Sequence, residues 1–349
     1  MDDAARLIRY PIETPPAHGE GIEVAEGVLW FRLPLPMALD HVNVYALDDG
    51  DGWTLIDSGI GSRKCKAIFE ALLTGPLAGK PVRRVLVTHH HPDHIGLAGW
   101  LQTEHGAELW TTRTAWLMAR MLSLDVEERP SERAIAFWKS AGVPPAILKE
   151  RQNQRPFNFA DAIAPLPVGY RRIAEGERLE IGGRSWVVAM GHGHAPEHAT
   201  LWSESDNVVI GGDQLLPSIS PNLGIYPTEP LADPVADWLA SCAVFEKMAR
   251  PDHLVLPGHK LPFIGLPTRL DQMIDNHISA LARLDEALAT PKTACECFLP
   301  VFKREITGDA FGLAMVEAYA HCQHLWHAGR ATREMRDDGA WLYRSVTQT

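Results

Sequence analysis

The chain has 349 residues, 46% of them hydrophobic and 22% charged, with a formal net charge of −11. That length accommodates one large domain and a smaller one with a sizeable core. The acidic balance excludes broad non-specific nucleic-acid binding, which runs on clustered Lys and Arg. No stretch approaches ~18 uninterrupted apolar residues, so no membrane span is expected.

The opening stretch, MDDAARLIRYPIETPPAHGE, has no basic segment followed by an apolar one, so no secretory signal is expected. Five cysteines (Cys65, Cys242, Cys295, Cys297, Cys322) are few and odd in number. Reduced thiols in a cytoplasm fit them better than a disulfide framework.

Residues 28–31 and 42–47 have strand patterning, and GWTLIDSG at 52–59 reads as a strand ending in a polar turn. Residues 65–73 have helical spacing, and VRRVLVTH reads as a buried strand of β-branched residues. His89, His90, His91, Asp93 and His94 sit on the loop leaving that strand. One helix (IGLAGWLQTEHG) and one strand (AELWTT) follow, and the alternation predicts a layered α/β domain. Residues 113–165 break the rhythm with helical segments. This helical insertion is either a lid over the site or a surface elaboration, and its Trp116 and Trp138 could bury a homodimer interface.

Strands resume at 178–181, 184–190, 199–203 and 207–210. Residues 234–247 read as a helix, HLVLPGH as a strand and loop, and 266–289 as a long helix. Beyond residue 291, helices near 294–301 and 312–328 precede a hairpin with an Asp-Gly turn. This ending looks like a small, mainly helical winged-helix module. The predicted organisation is a catalytic domain over 1–265 and a C-terminal module over 266–349.

The strand-ending loops of the first domain deliver groups that bind divalent metals: His89, His91, Asp93 and His94, then His192, His194 and His198, then Asp213, then His259. Imidazole and carboxylate are the ligands zinc prefers. Open α/β folds place ligand sites at the carboxyl ends of strands, where these loops fall.

His-x-His-x-Asp-His at 89–94, Gly-His-Ala-Pro-Glu-His at 193–198, Gly-Gly-Asp at 211–213 and Pro-Gly-His at 257–259 occur in this order. In these motifs the chain resembles the metallo-β-lactamase superfamily over roughly residues 25–265. The resemblance implies a four-layer αββα sandwich with a two-metal site on one edge. By matching position, His89, His91 and His194 would hold one zinc, and Asp93, His94 and His259 a second. Asp213 would bridge both, together with a hydroxide that attacks an acyl carbon. Asp93 would also orient that nucleophile.

The neighbouring groups carry two readings each. His90 points away from the ligands if the loop is extended, and His192 lines the pocket at best. His198 is expected to bond nearby backbone. Asp57 either orients a metal-binding histidine or caps a turn. Ser220, Asn222 and Tyr226 follow the bridging carboxylate, and Tyr226 either donates to the substrate carbonyl or packs with its hydroxyl at the surface. His321, His324 and His327 recur every three residues on a helix, where a packing or surface face is expected rather than a ligand face.

Within this superfamily, true β-lactamases usually carry a signal. Flavodiiron proteins carry Glu where His91 stands. Persulfide dioxygenases share the first motif but use one iron, and His259 leans toward two metals. The remaining candidates are hydrolases of small esters, with thioester ahead of lactone, and endoribonucleases that dock through a similar tail. Residues 291–349 contain seven Lys or Arg and seven Asp or Glu, a balance of zero. A nucleic-acid module needs a basic face, so the small acyl substrate is the preferred reading.

Overall fold

The computed structural model describes residues 7–346. They form two compact units. The first holds the described residues up to Val126 together with Asn158–Pro221 and Phe245–Leu270. The second holds Glu127–Phe157, Asn222–Val244 and the described residues from Asp271 onward.

The first unit contains two sheets. One has seven strands in sequential order: β1 (Ile22–Ala25), β2 (Val28–Pro34), β3 (His41–Asp48), β4 (Trp53–Ile56), β5 (Val82–Leu86), β6 (Glu108–Thr111) and β7 (Arg171–Arg172). The other has six, ordered β13-β12-β11-β10-β9-β8, with β8 Arg178–Ile181, β9 Arg184–Gly191, β10 His198–Ser203, β11 Val208–Gly212, β12 Leu254–Pro257 and β13 Phe263–Ile264. The β4–β5 and β11–β12 pairs are parallel, so the loops that leave them emerge together in pairs.

Strand alternation builds two cores from one sheet. Along β3, Val42, Val44 and Ala46 join one cluster, while Tyr45 and Leu47 join the other. The second cluster also takes Trp186, Val188, Leu201, Ile210 and Leu256 from the six-stranded sheet, so it is the layer between the sheets. The first cluster is covered by helices α1 (Arg63–Thr74) and, after the short α2 (Pro92–Ile95), α3 (Ala98–His105). Ser62 caps α1 by accepting from the Cys65 amide at 3.1 Å, and Cys65, Phe69 and Leu72 form its buried stripe. On the outer face of the other sheet, Trp202 stacks on Phe245 at 5.8 Å. The result is a sheet sandwich with helices outside.

The segment IGLAGWLQTEHG, read above as one helix, belongs to two. The chain breaks between α2 and α3 at Gly96, where a Cβ would stand 2.4 Å from the Gly61 amide nitrogen. Close passage of the Gly59–Gly61 backbone requires the glycine there.

Helix α4 (Arg113–Leu124) closes on the first unit, whereas α5 (Glu132–Ser140) and α6 (Pro145–Asn153) lie in the second. Helices α7 (Pro234–Met248) and α8 (Leu266–Ala287) follow. The segment near 294–301 is a single 3-10 turn, Ala294–Cys297, running into α9 (Phe298–Phe302). Thr293 and Glu296 cap it reciprocally. Helix α10 (Phe311–His327) is buried along most of its length and precedes the hairpin β14 (Ala331–Met335) and β15 (Trp341–Ser345). Arg333 lies over the rings of Trp326 and Trp341, 3.5 and 4.4 Å from their centroids. No helix of the described residues is long and apolar enough to cross a membrane.

Candidate metal centre

Strand ends of the first unit bring the predicted donors together. His89 leaves β5, and His91 caps α2, on which Asp93 and His94 ride. His194 follows β9, Asp213 follows β11 and His259 follows β12. Three groups have ligand atoms within 4.8 Å of one another: His89–His91–His194, His89–His94–Asp213 and Asp93–His94–His259. Asp213 touches the other two groups. Its Oδ2 lies 3.5 Å from His194 Nε2 and 3.1 Å from His259 Nε2, and its Oδ1 lies 3.4 Å from His94 Nε2. Asp93 Oδ2 is 3.4 Å from His259 Nε2 and 3.6 Å from His94 Nε2. Ligands ~2.0–2.2 Å from a tetrahedral ion stand about 3.3 Å apart, so these separations are those of coordinating edges.

A hydrogen-bond shell fixes which nitrogen each imidazole offers. Asp57 takes the amide of Thr88 on Oδ1 at 2.8 Å and the Thr88 hydroxyl at 3.0–3.1 Å. Thr88 Oγ1 therefore accepts from Nδ1 of His89 at 3.0 Å. Asp57 Oδ2 accepts from Nδ1 of His94 at 2.8 Å. The His41 carbonyl accepts from Nδ1 of His259 at 2.8 Å. In each case Nδ1 is engaged and Nε2 is the nitrogen turned to the site, the arrangement of metal-bound histidines. Asp57 has φ 62°, a left-handed conformation that is uncommon for a non-glycine residue.

The electrostatics agree. Burial, with the neighbouring imidazoles, holds His89 and His91 well below the ordinary histidine range, so their lone pairs are available. Burial pushes Asp213 toward the neutral acid, but His259 and His94 overcome it and keep the carboxyl well below its usual range. Burial also lowers His259, yet Asp213 and Asp93 raise it to about 10. Two buried atoms at the centre, His94 Nε2 and Asp213 Oδ1, have no hydrogen-bond partner among the described residues. A nitrogen and a carboxylate oxygen facing one another at 3.4 Å without a hydrogen bond, inside a set of such donors, fit a divalent cation shared by both.

Backbone economy keeps the donors close. A Cβ on Gly258 would stand 2.2 Å from Asp213 Oδ1 and 2.8 Å from His94 Cε1, so only glycine lets the His259 loop pass.

His198 opens β10 and accepts the Asp213 amide on Nε2 at 3.1 Å; burial pushes it down to about 3. His90 is buried behind His91 and is pushed by burial to about 4. His192 is exposed, and its Nδ1 accepts from the Glu197 amide at 3.3 Å. Ser220 lies in the first unit outside the donor groups. Asn222 and Tyr226 belong to the second unit and supply no donor atom to these three groups. Asn222 donates to Glu317 Oε2 at 2.6 Å and to the Leu313 carbonyl at 3.2 Å, and Tyr226 is exposed. His324 bonds Asp233 at 3.0 Å and His327 the Leu231 carbonyl at 3.0 Å, whereas His321 is buried against His277.

Sequence reasoning missed His41, Thr88 and Asn43. Asn43 donates through Nδ2 to the carbonyls of Pro257 and Lys260, both at 2.9 Å, and accepts from Trp30 Nε1 at 2.9 Å. It therefore holds the His259 loop from the opposite sheet. An Asn amid apolar neighbours on a buried strand was the available signal.

Residues 37–259 match the family model of the metallo-beta-lactamase superfamily, and residues 281–346 that of a metallo-beta-lactamase-like C-terminal domain. The chain is 27% identical over 311 residues to a probable metallo-hydrolase of Bacillus subtilis, covering 86% of this chain and 92% of that protein. A beta-lactamase domain protein from Burkholderia ambifaria superposes with TM-score 0.89 at 38% identity, covering 99% of this chain and 100% of that one. A metallo-beta-lactamase family protein from Thermus thermophilus does so with TM-score 0.76 at 26% identity, covering 93% and 100%.

Proposed function

The chain belongs to the metallo-beta-lactamase superfamily, and on that premise we propose that it is a two-zinc hydrolase of a small acyl substrate, with thioesters ahead of lactones. The observation that carries this reading is the position of Asp213, within 3.1–3.5 Å of imidazoles from both donor triads. His89, His91 and His194 would hold the first ion, and Asp93, His94 and His259 the second, with Asp213 between them. Histidine and carboxylate donors without cysteine suit zinc. Zinc, when bound, brings the pKa of its water toward neutrality and stabilises charge developing on an acyl oxygen.

The chain's own residues then do the rest. Asp93, the most exposed of the carboxylates at the centre, takes a hydrogen bond from the attacking water and sets its line of approach. Asp57, Thr88 and the His41 carbonyl keep the imidazoles in the tautomer that offers Nε2. Gly258 keeps the donors packed. Five free thiols suit a reducing cytoplasm, and the acidic chain suits a small-molecule substrate rather than nucleic acid.

The test is hydrolysis by zinc-loaded protein of matched acyl-thioester and acyl-homoserine-lactone panels, with His259→Ala as control. Turnover of either panel, lost in the variant, supports an acyl hydrolase and names its leaving group. Metal-replete protein that turns over neither panel contradicts it.

A further inference from the structure

His277 on α8 and the pair Glu317 and His321 on α10 meet inside the second unit, and none of the three is a donor of the centre described above. Glu317 and His321 are four apart, so they share one helix face. Ligand atoms of all three lie within 4.8 Å of one another. His277 Nδ1 stands 3.2 Å from His321 Nε2, close to the ~3.3 Å edge of a tetrahedral zinc site with bonds of about 2.0–2.1 Å. Both histidines are only 1% exposed.

Local bonds prepare these groups as ligands. His321 donates its Nδ1–H to the Glu317 carbonyl at 2.8 Å, which leaves the Nε2 lone pair facing His277. Asn222 donates to Glu317 Oε2 at 2.6 Å, orienting the carboxyl while Oε1 stays available. Glu317 forms no ion pair among the described residues.

His277 supplies the second, independent sign. If its Nδ1–H donates to His321, its buried Nε2 is an acceptor with no partner among the described residues. If the proton moves to Nε2, that buried donor has no partner among the described residues, and two lone pairs then oppose each other across 3.2 Å. Each tautomer of the bare pair leaves one buried group unsatisfied. A cation between the two lone pairs resolves both.

A cavity of about 220 Å³ adjoins the cluster and is lined also by Arg283, Lys303 and Arg304. Arg283 is held by the carbonyls of Pro300 and Val301 at 2.8 and 3.1 Å. Those basic side chains disfavour a cation held by charge alone, so the ion would depend on the imidazole and carboxylate ligands, and they suit a small anion as fourth ligand.

We propose that His277, Glu317 and His321 form a separate zinc site that ties α8 to α10. The experiment uses the full chain, stripped with chelator, reloaded with zinc and freed of excess, with metal content and thermal midpoint read together. Glu317→Gln keeps the Asn222 hydrogen bond and the side-chain volume, and His277→Gln removes the opposing imidazole. Each variant is expected to hold one zinc equivalent per chain fewer than the parent and to lose part of the zinc-induced rise in midpoint. Folded Glu317→Gln protein that holds as much zinc as the parent overturns the proposal. So does a parent whose loss of zinc in Asp213→Ala and His259→Ala leaves no equivalent sensitive to Glu317→Gln.

Discussion

Asp57 accepts the Nδ1–H of His94 at 2.8 Å while its other oxygen holds the Thr88 amide at 2.8 Å, so one buried carboxylate orients two metal-binding loops. Asp57→Asn places an amide against His94 and can reverse the tautomer. We expect a loss of about 10–100-fold in zinc affinity with the fold retained, read by competition with a chromophoric chelator. Unchanged affinity would reduce Asp57 to a turn residue.

Asn43 acts from the opposite sheet. Its amide holds two carbonyls beside His259, and its Oδ1 takes the Trp30 indole. Asn43→Ala leaves the buried Trp30 indole N–H without its acceptor, while Tyr45 and Arg32 still hold the Pro257 and Lys260 carbonyls, and costs roughly 1–3 kcal/mol. Chemical denaturation should show that loss, and the variant should bind its last zinc equivalent more weakly. A stable variant with intact metal binding would mean the loop holds itself.

Gly258→Ala tests close packing directly. The added methyl would sit 2.2 Å from Asp213 Oδ1, so the carboxylate or the loop must shift. Zinc content and turnover should fall together while circular dichroism is preserved. Parent-like zinc content would show that the site gives way freely.

His253 predicts a pH effect away from the metal ligands. Burial, with Arg250 beside it, lowers its pKa to about 4, and Asp252 opposes weakly. Its Nδ1 accepts the Arg250 amide at 3.1 Å. Between pH 6.5 and 4 the unfolded chain binds a proton that the folded chain refuses, so stability contributed here is present above pH 6.5 and lost as pH falls toward 4. His253→Asn keeps an acceptor and does not titrate. The drop in stability from pH 7 to pH 5 should shrink by on the order of 1 kcal/mol. An equal drop in both proteins would contradict the assignment.

The sequence made the donor set legible because ligands come in tight local spacings, such as the four groups within residues 89–94. Strand alternation and buried β-branched runs are local signals and gave a layered α/β domain, whereas the two-sheet sandwich came only with the resemblance carried by the four histidine motifs. What stayed hidden depends on contacts across the chain. His41 serves through its carbonyl and Asn43 through loops more than 200 residues away. The need for glycine at position 96 depends on passage of the Gly59–Gly61 backbone. The i, i+3 spacing of His321, His324 and His327 reads as a packing or surface face, and that His277 on another helix stands 3.2 Å from His321 is not written in that spacing.

The central claim is that Asp213 joins two zinc sites, and metal analysis tests it most directly. The measurement is best made in a Glu317→Gln background, which removes the proposed third site. We predict close to two zinc equivalents per chain there, most of them lost when Asp213→Ala is added. One iron per chain, or zinc content indifferent to Asp213→Ala, would contradict the account.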